Sequence, residues 1–123
     1  MRPVTVAYRL SGPIPAGSYH LIADGFVSDE PVVRFEILWR RAGTADDMPI
    51  VTFEHRYPAP PVTFAQYEET LGGAQVPAAD GDLLVLRVTL IGGTPQDQAA
   101  YVPIGEILQA PQGARFLSLD LPR

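Results

Sequence analysis

From Leu83 to Ile91 the chain runs LLVLRVTLI, and only Arg87 and Thr89 break the apolar run. Both fall in the odd-numbered set. The even-numbered set, Leu84, Leu86, Val88 and Leu90, is wholly aliphatic, and residues two apart share one face of a strand. No other stretch is as apolar, so this one is expected in the middle of a sheet with a neighbour on each edge. Val32–Arg41 alternates most clearly: Val33, Phe35, Ile37 and Trp39 face one way, Arg34, Glu36 and Arg40 the other. Val4–Leu10 keeps the same beat, with Val4, Val6, Tyr8 and Leu10 inward.

Ser18–Val27 is expected as one strand with Tyr19, Leu21, Ala23 and Val27 inward and His20 and Asp24 outward. Phe26 falls out of phase, and Gly25 beside it suggests a bulge. Ala42–Pro49 reads as a loop, then Ile50–Tyr57 as a strand with Val51, Phe53, His55 and Tyr57 inward. If 32–41 and 50–57 form a hairpin, charge selects the register. Opposing Glu36 to Glu54 sets like against like, whereas a two-residue shift pairs Arg34 with Glu54 or Glu36 with Arg56. The shifted register is expected.

Val62–Leu71 fits two periods. Phe64, Tyr67 and Leu71 have helical spacing with Gly72 as a C-cap, and the same run suits an edge strand. Ala99–Pro103 reads as a short edge strand, because Pro103 has no amide hydrogen for a ladder. Ile104–Leu108 reads as one helical turn or a loop, and Phe116–Leu121 as a closing strand with Leu117, Leu119 and Leu121 inward.

Thirteen prolines and eleven glycines, spread between the apolar runs, favour short strands and turns over helices. The expected fold is a single all-β domain over residues 1–123, a two-sheet antiparallel β-sandwich of jelly-roll-like form with seven to eight strands. A chain of 123 residues can bury a core of its own, and 46% hydrophobic residues argue against general disorder.

The net charge of −5 and the scattering of nine basic residues, all arginine, speak against a nucleic-acid backbone as partner. Without cysteine or lysine there is no disulfide frame, thiolate metal site or lysine Schiff base. No run approaches a membrane span, and the first residues show no signal-peptide pattern, so the default expectation is cytoplasmic.

Three stretches resemble structural landmarks of bacterial jelly-roll accessory modules of the galactose-binding-like and carbohydrate-binding kind: AGSYHLIADG (Ala16–Gly25), GDLLVLRV (Gly81–Val88) and AYVP (Ala100–Pro103). The resemblance implies the fold and a non-catalytic role. It also brings structural calcium into consideration, since such modules often hold one. It carries over no ligand-binding residue.

The residues themselves show no catalytic motif. His20 and His55 are too few for a three-histidine zinc site; with a carboxylate, Asp24 or Glu54 would be the partner. Gly-x-Ser-x-Gly is absent. Glu36 with Glu54, and Glu68 with Glu69, are carboxylate pairs in principle, but alternation with arginines makes the first pair part of a solvated face. Asp80 and Asp82 are the best calcium candidates, in an Asp-Gly-Asp sequence that equally forms a plain turn. Stacking on a sugar needs exposed aromatics, and Tyr57, Tyr67 and Tyr101 are the candidates because each lies near a loop or proline. Trp39, in phase with Val33, Phe35 and Ile37, is expected in the core.

The expected function is therefore a binding or accessory module for a carbohydrate or protein ligand. The alternative is a structural subunit of a homo-oligomer, pairing through Ala99–Pro103 or Val62–Leu71.

Overall fold

In a computed structural model the described residues are 4–28, 30–57, 63–92, 100–103 and 117–122, and among them every regular element is a strand. In chain order the strands are β1 (Val4–Arg9), β2 (Gly17–Ile22), β3 (Gly25–Ser28), β4 (Val32–Arg40) and β5 (Asp47–Arg56). They continue as β6 (Thr63–Ala65), β7 (Glu68–Gly73), β8 (Leu83–Gly92), β9 (Ala100–Pro103) and β10 (Ser118–Asp120). All pairings are antiparallel, in one four-stranded sheet, β1-β8-β4-β5, and two three-stranded sheets, β10-β2-β7 and β6-β3-β9. No helix among the described residues is long and apolar enough to cross a membrane.

β8 lies between β1 and β4, as its aliphatic face requires, and Leu84, Leu86 and Val88 are fully buried. Val33, Phe35 and Ile37 on β4 are fully buried on the same side. The β4–β5 register is shifted, as the charges require, and of the two shifted pairings it is the one in which Arg34 faces Glu54, their side chains forming an ion pair at 3.1 Å. β5 begins at Asp47, three residues before the alternation suggests, because an edge strand tolerates Pro49.

Two residues of the outward phase are nonetheless buried. Leu38 and Val85 are cross-strand partners on the outer face of the four-stranded sheet, at 3% and 0% exposure. Two residues beyond each stand Arg40 and Arg87, both tied to Asp47. Long arginine stems shelter apolar neighbours in this way while keeping their charge wet.

The expected single strand 18–27 is instead two, broken at Ala23-Asp24. Nothing is inserted at the break: Ile22 faces Glu68 on one side of it and Gly25 faces Ala65 on the other, three residues along each strand. Gly25 is therefore not a bulge against this partner. Phe26 simply faces outward, packing edge-on against Phe64 at 5.9 Å. Asp24, expected in water, is fully buried and accepts the Tyr67 amide hydrogen at 3.0 Å.

The helical alternative for 62–71 is overturned. Thr63–Ala65 and Glu68–Gly73 are strands β6 and β7, paired with β3 and β2, and Gly72 continues the strand. The 104–108 segment lies outside the described residues. β9 is the expected edge strand, and β10 covers the middle of the predicted closing strand. One cluster of buried side chains draws on all three sheets, from Leu21 and Val27 through Phe35 and Leu86 to Tyr101 and Leu119. Leu119 donates its amide hydrogen to the Tyr8 hydroxyl at 3.2 Å, linking β10 to β1.

Candidate functional site

Tyr57, Tyr67 and Tyr101 do come together, but facing inward. Tyr57 and Tyr101 are 1% and 2% exposed and stack at 5.0 Å, while Tyr67 meets Tyr57 edge-on at 5.7 Å. Both buried hydroxyls donate to the Ala23 carbonyl, at 2.8 and 3.1 Å. That carbonyl sits at the β2–β3 break. The tyrosines therefore serve the break, and neither Tyr57 nor Tyr101 offers a free ring face to a sugar. Burial pushes both phenols well above their usual range, and it does the same for Tyr67, whose hydroxyl donates to Glu69 at 3.1 Å.

His55 stacks on Tyr67 at 3.7 Å, nearly parallel, joining β5 to the short link between β6 and β7. Its imidazole is held below the usual histidine range, chiefly by burial and against the pull of Glu69. The folded protein thus favours neutral His55, and stability should fall as pH drops below the free value of about 6.5. His55→Phe keeps a ring on Tyr67 without a proton to bind. Melting temperatures between pH 7.5 and 5 are expected to decline less steeply in this variant than in wild type; equal slopes would remove His55 as the cause.

His20 lies on an outer face, as expected. Its carboxylate partner is neither Asp24 nor Glu54 but Glu68, at 2.9 Å from Nε2, and Thr70 Oγ1 lies 3.4 Å from Nδ1. The hydroxyl–imidazole–carboxylate line is exposed on a sheet surface. Among the described residues no three histidines or carboxylates stand close enough to hold a metal ion.

Asp82 is the best-organised polar residue. It is 5% exposed and accepts three N–H groups: Trp39 Nε1 and Ala79 N on Oδ2, Ala42 N on Oδ1, each at 2.9 Å. The Ala79 and Ala42 amides, then the indole, hold its carboxyl below the usual carboxylate range. Asp80, its expected calcium-binding companion, is exposed on the turn. Gly81, at φ +93°, closes that turn and donates to Leu10 O at 2.9 Å. Asp82 thus ties this turn, the turn after β4 and the Trp39 ring into one unit, which is a structural employment of its oxygens.

The ring it positions borders a hollow. Trp39, Met48, Pro49, Ile50 and the segment 74–77 line a groove of about 280 Å³. The groove arises from a bulge: Ile37 faces Val51 and Leu38 faces Pro49, so Ile50 is an extra residue on edge strand β5. Opposite, Gly73 lets β7 come close to its neighbours, since a Cβ there would lie 2.7 Å from the Tyr19 ring and 3.6 Å from Ile50 Cγ2. Trp39 is 9% exposed, with the Arg41 guanidinium 5.1 Å from its ring centre. Gln75 is the single polar side chain in the lining, which holds no titratable group.

On the outer face of the sheet Asp47 binds Arg40 through two oxygens, at 2.6 and 2.9 Å, and Arg87 at 2.6 Å. The Arg40 bonds, above all, hold the Asp47 carboxyl below its usual range. The alternation places Trp39 inward correctly, but the bulge that turns its edge into a groove wall leaves no trace in the hydrophobic pattern. The arrangement is suited to holding an apolar group. The chain matches no protein-family model, no curated protein and no solved structure.

Proposed function

We propose that the protein is a non-catalytic binding module on a two-layer jelly-roll-like β-sandwich, taking an apolar side chain of a protein ligand into the Trp39 groove. The strand order supports the architecture. Taking β2 with β3, β6 with β7 and β9 with β10 as interrupted single lines, the described residues form seven lines in two groups, among which only β4 and β5 are consecutive lines in one group. That is the order of the last seven strands of an eight-stranded jelly roll.

The observation that carries the functional reading is the groove itself. It is apolar, bordered by an indole fixed through Asp82, and smaller than the 300–1,000 Å³ or so typical of drug-sized ligand sites. A large side chain fits that description better than a sugar. Sugars need a free aromatic face and several polar partners, whereas Arg41 covers the indole and Gln75 stands alone.

Trp39 is the chain's one tryptophan, so its fluorescence reports occupancy directly. Peptide and glycan arrays should yield peptides with aromatic or large aliphatic anchors, which then shift the Trp39 emission on titration. Ala74→Phe, which fills the groove from an exposed position without adding a second indole, is expected to weaken binding tenfold or more with the melting temperature kept. Met48→Glu, which charges a wall packed against the core, should weaken it as much while lowering the melting temperature. Peptide binding indifferent to both variants, or glycan binding that alone responds to them, would overturn this reading.

A further inference from the structure

The open edge of β5 is a second surface, independent of the groove. β5 is the outermost strand of its sheet, and among the described residues its ladder is made with β4 alone. Pro49 and the Ile50 bulge guard only its first half. From Val51 to Arg56 it is regular, with Thr52, Glu54 and Arg56 exposed.

The other edges are blunted or poorly matched to themselves. β9 carries Pro103, β6 and β10 have three residues each, β7 brings only carboxylates, and β1 shows one charge, Arg9, without an opposite. β5 instead presents an acid and a base two residues apart. Under a two-fold axis that spacing is self-complementary.

We infer that the occupant of this edge is β5 of a second copy of the chain, antiparallel and centred on His55. Glu54 then faces Arg56 of the second copy, and Arg56 faces its Glu54. Opposite charges directly across a strand pair stabilise it, whereas a two-residue slide, which recentres the axis on Glu54 or Arg56, would set Glu54 against Glu54 or Arg56 against Arg56. The His55 side chain lies on the inner face against Tyr67, so the axis crosses backbone without disturbing the stack. The two four-stranded sheets become one continuous sheet. The shared strand is short, so the dimer is a weak, concentration-dependent one.

Charge swaps test the partner and the register together. Wild-type protein is expected to show reversible dimerisation in sedimentation equilibrium. Glu54→Arg and Arg56→Glu, each alone, oppose like charges and should weaken association at least tenfold. An equimolar mixture of the two variants restores both pairs and should associate like wild type. Arg56→Glu leaves the Arg34–Glu54 pair within the chain intact, so it remains informative if Glu54→Arg folds poorly. A wild type monomeric at every concentration, single variants that associate as wild type does, or a mixture that fails to recover would each overturn the inference. Ala74→Phe should leave dimerisation unchanged, which separates a failure here from a failure of the groove reading.

Discussion

Asp82→Ala is expected to lower the melting temperature by on the order of 10 °C and to shift Trp39 emission to the red. The substitution removes one side chain but orphans three donors: the indole N–H and the amides of Ala42 and Ala79. The buried indole N–H, left unpaired, bears its full desolvation cost, while the part-buried Ala42 and Ala79 amides lose their charged acceptor and turn to water. Asp82→Asn should fall between. Its carbonyl oxygen can stay with Trp39 and Ala79, but its NH2 then meets the Ala42 amide donor to donor.

The pH dependence follows from the direction of the Asp82 shift. A carboxyl held below its unfolded value contributes stability above that value, and the contribution is lost as pH falls through the folded one. The gap between wild type and Asp82→Ala should therefore be full at neutral pH and begin to close below about pH 4. Melting with calcium and with a chelator checks the role. A site binding only the folded protein raises its melting point with calcium. If Asp82 works only through its N–H partners, calcium leaves wild type unchanged; an increase lost in Asp82→Ala would show it to be a ligand.

The parts of the fold legible in the sequence are those where one face is buried and its neighbour wet. β4 and β8 announce themselves because a central strand needs an unbroken aliphatic set, and Val33–Trp39 and Leu84–Leu90 supply two. The β4–β5 register was legible down to two shifted pairings that avoid like charges, and the structure takes the one that sets Arg34 against Glu54. The β2–β3 break was not. Alternation reports which way a side chain faces but not whether the ladder continues, and the phase runs through Ala23 and Asp24 without a stumble. Asp24 sits in the outward phase and is buried because a broken ladder leaves the Tyr67 amide needing an acceptor.

The candidate site shows the same division. Nearness to loops and prolines picked out Tyr57, Tyr67 and Tyr101 together, and they do form one cluster. The feature that suggested exposure, a strand end, is also where a tyrosine can reach back to an interrupted backbone. The Asp80-Gly81-Asp82 turn was visible, and the Ala79 amide lies within it, but the other two donors to Asp82, from Ala42 and Trp39, come from forty or more residues away, where no local pattern records them. The groove depends on Ile50 being an extra residue, which Pro49 disguises as the end of a loop.

The hydroxyls of Tyr57 and Tyr101 should prove redundant singly and costly together. Both donate to one acceptor, the Ala23 carbonyl, in a fully buried setting. Tyr57→Phe leaves Tyr101 bonded, and the reverse holds, so each single change is expected to cost at most about 1 kcal/mol. The double variant leaves that carbonyl without either hydroxyl at the point where strand pairing has already lapsed, and its expected cost is about 2–3 kcal/mol. Urea unfolding of the four proteins closes a double-mutant cycle whose coupling should exceed 0.5 kcal/mol or so. Additive losses would mean that the two hydroxyls act separately. Because each phenylalanine keeps its ring in the stack, a positive coupling would trace to the shared carbonyl and mark the tyrosines as the clasp of the broken strand.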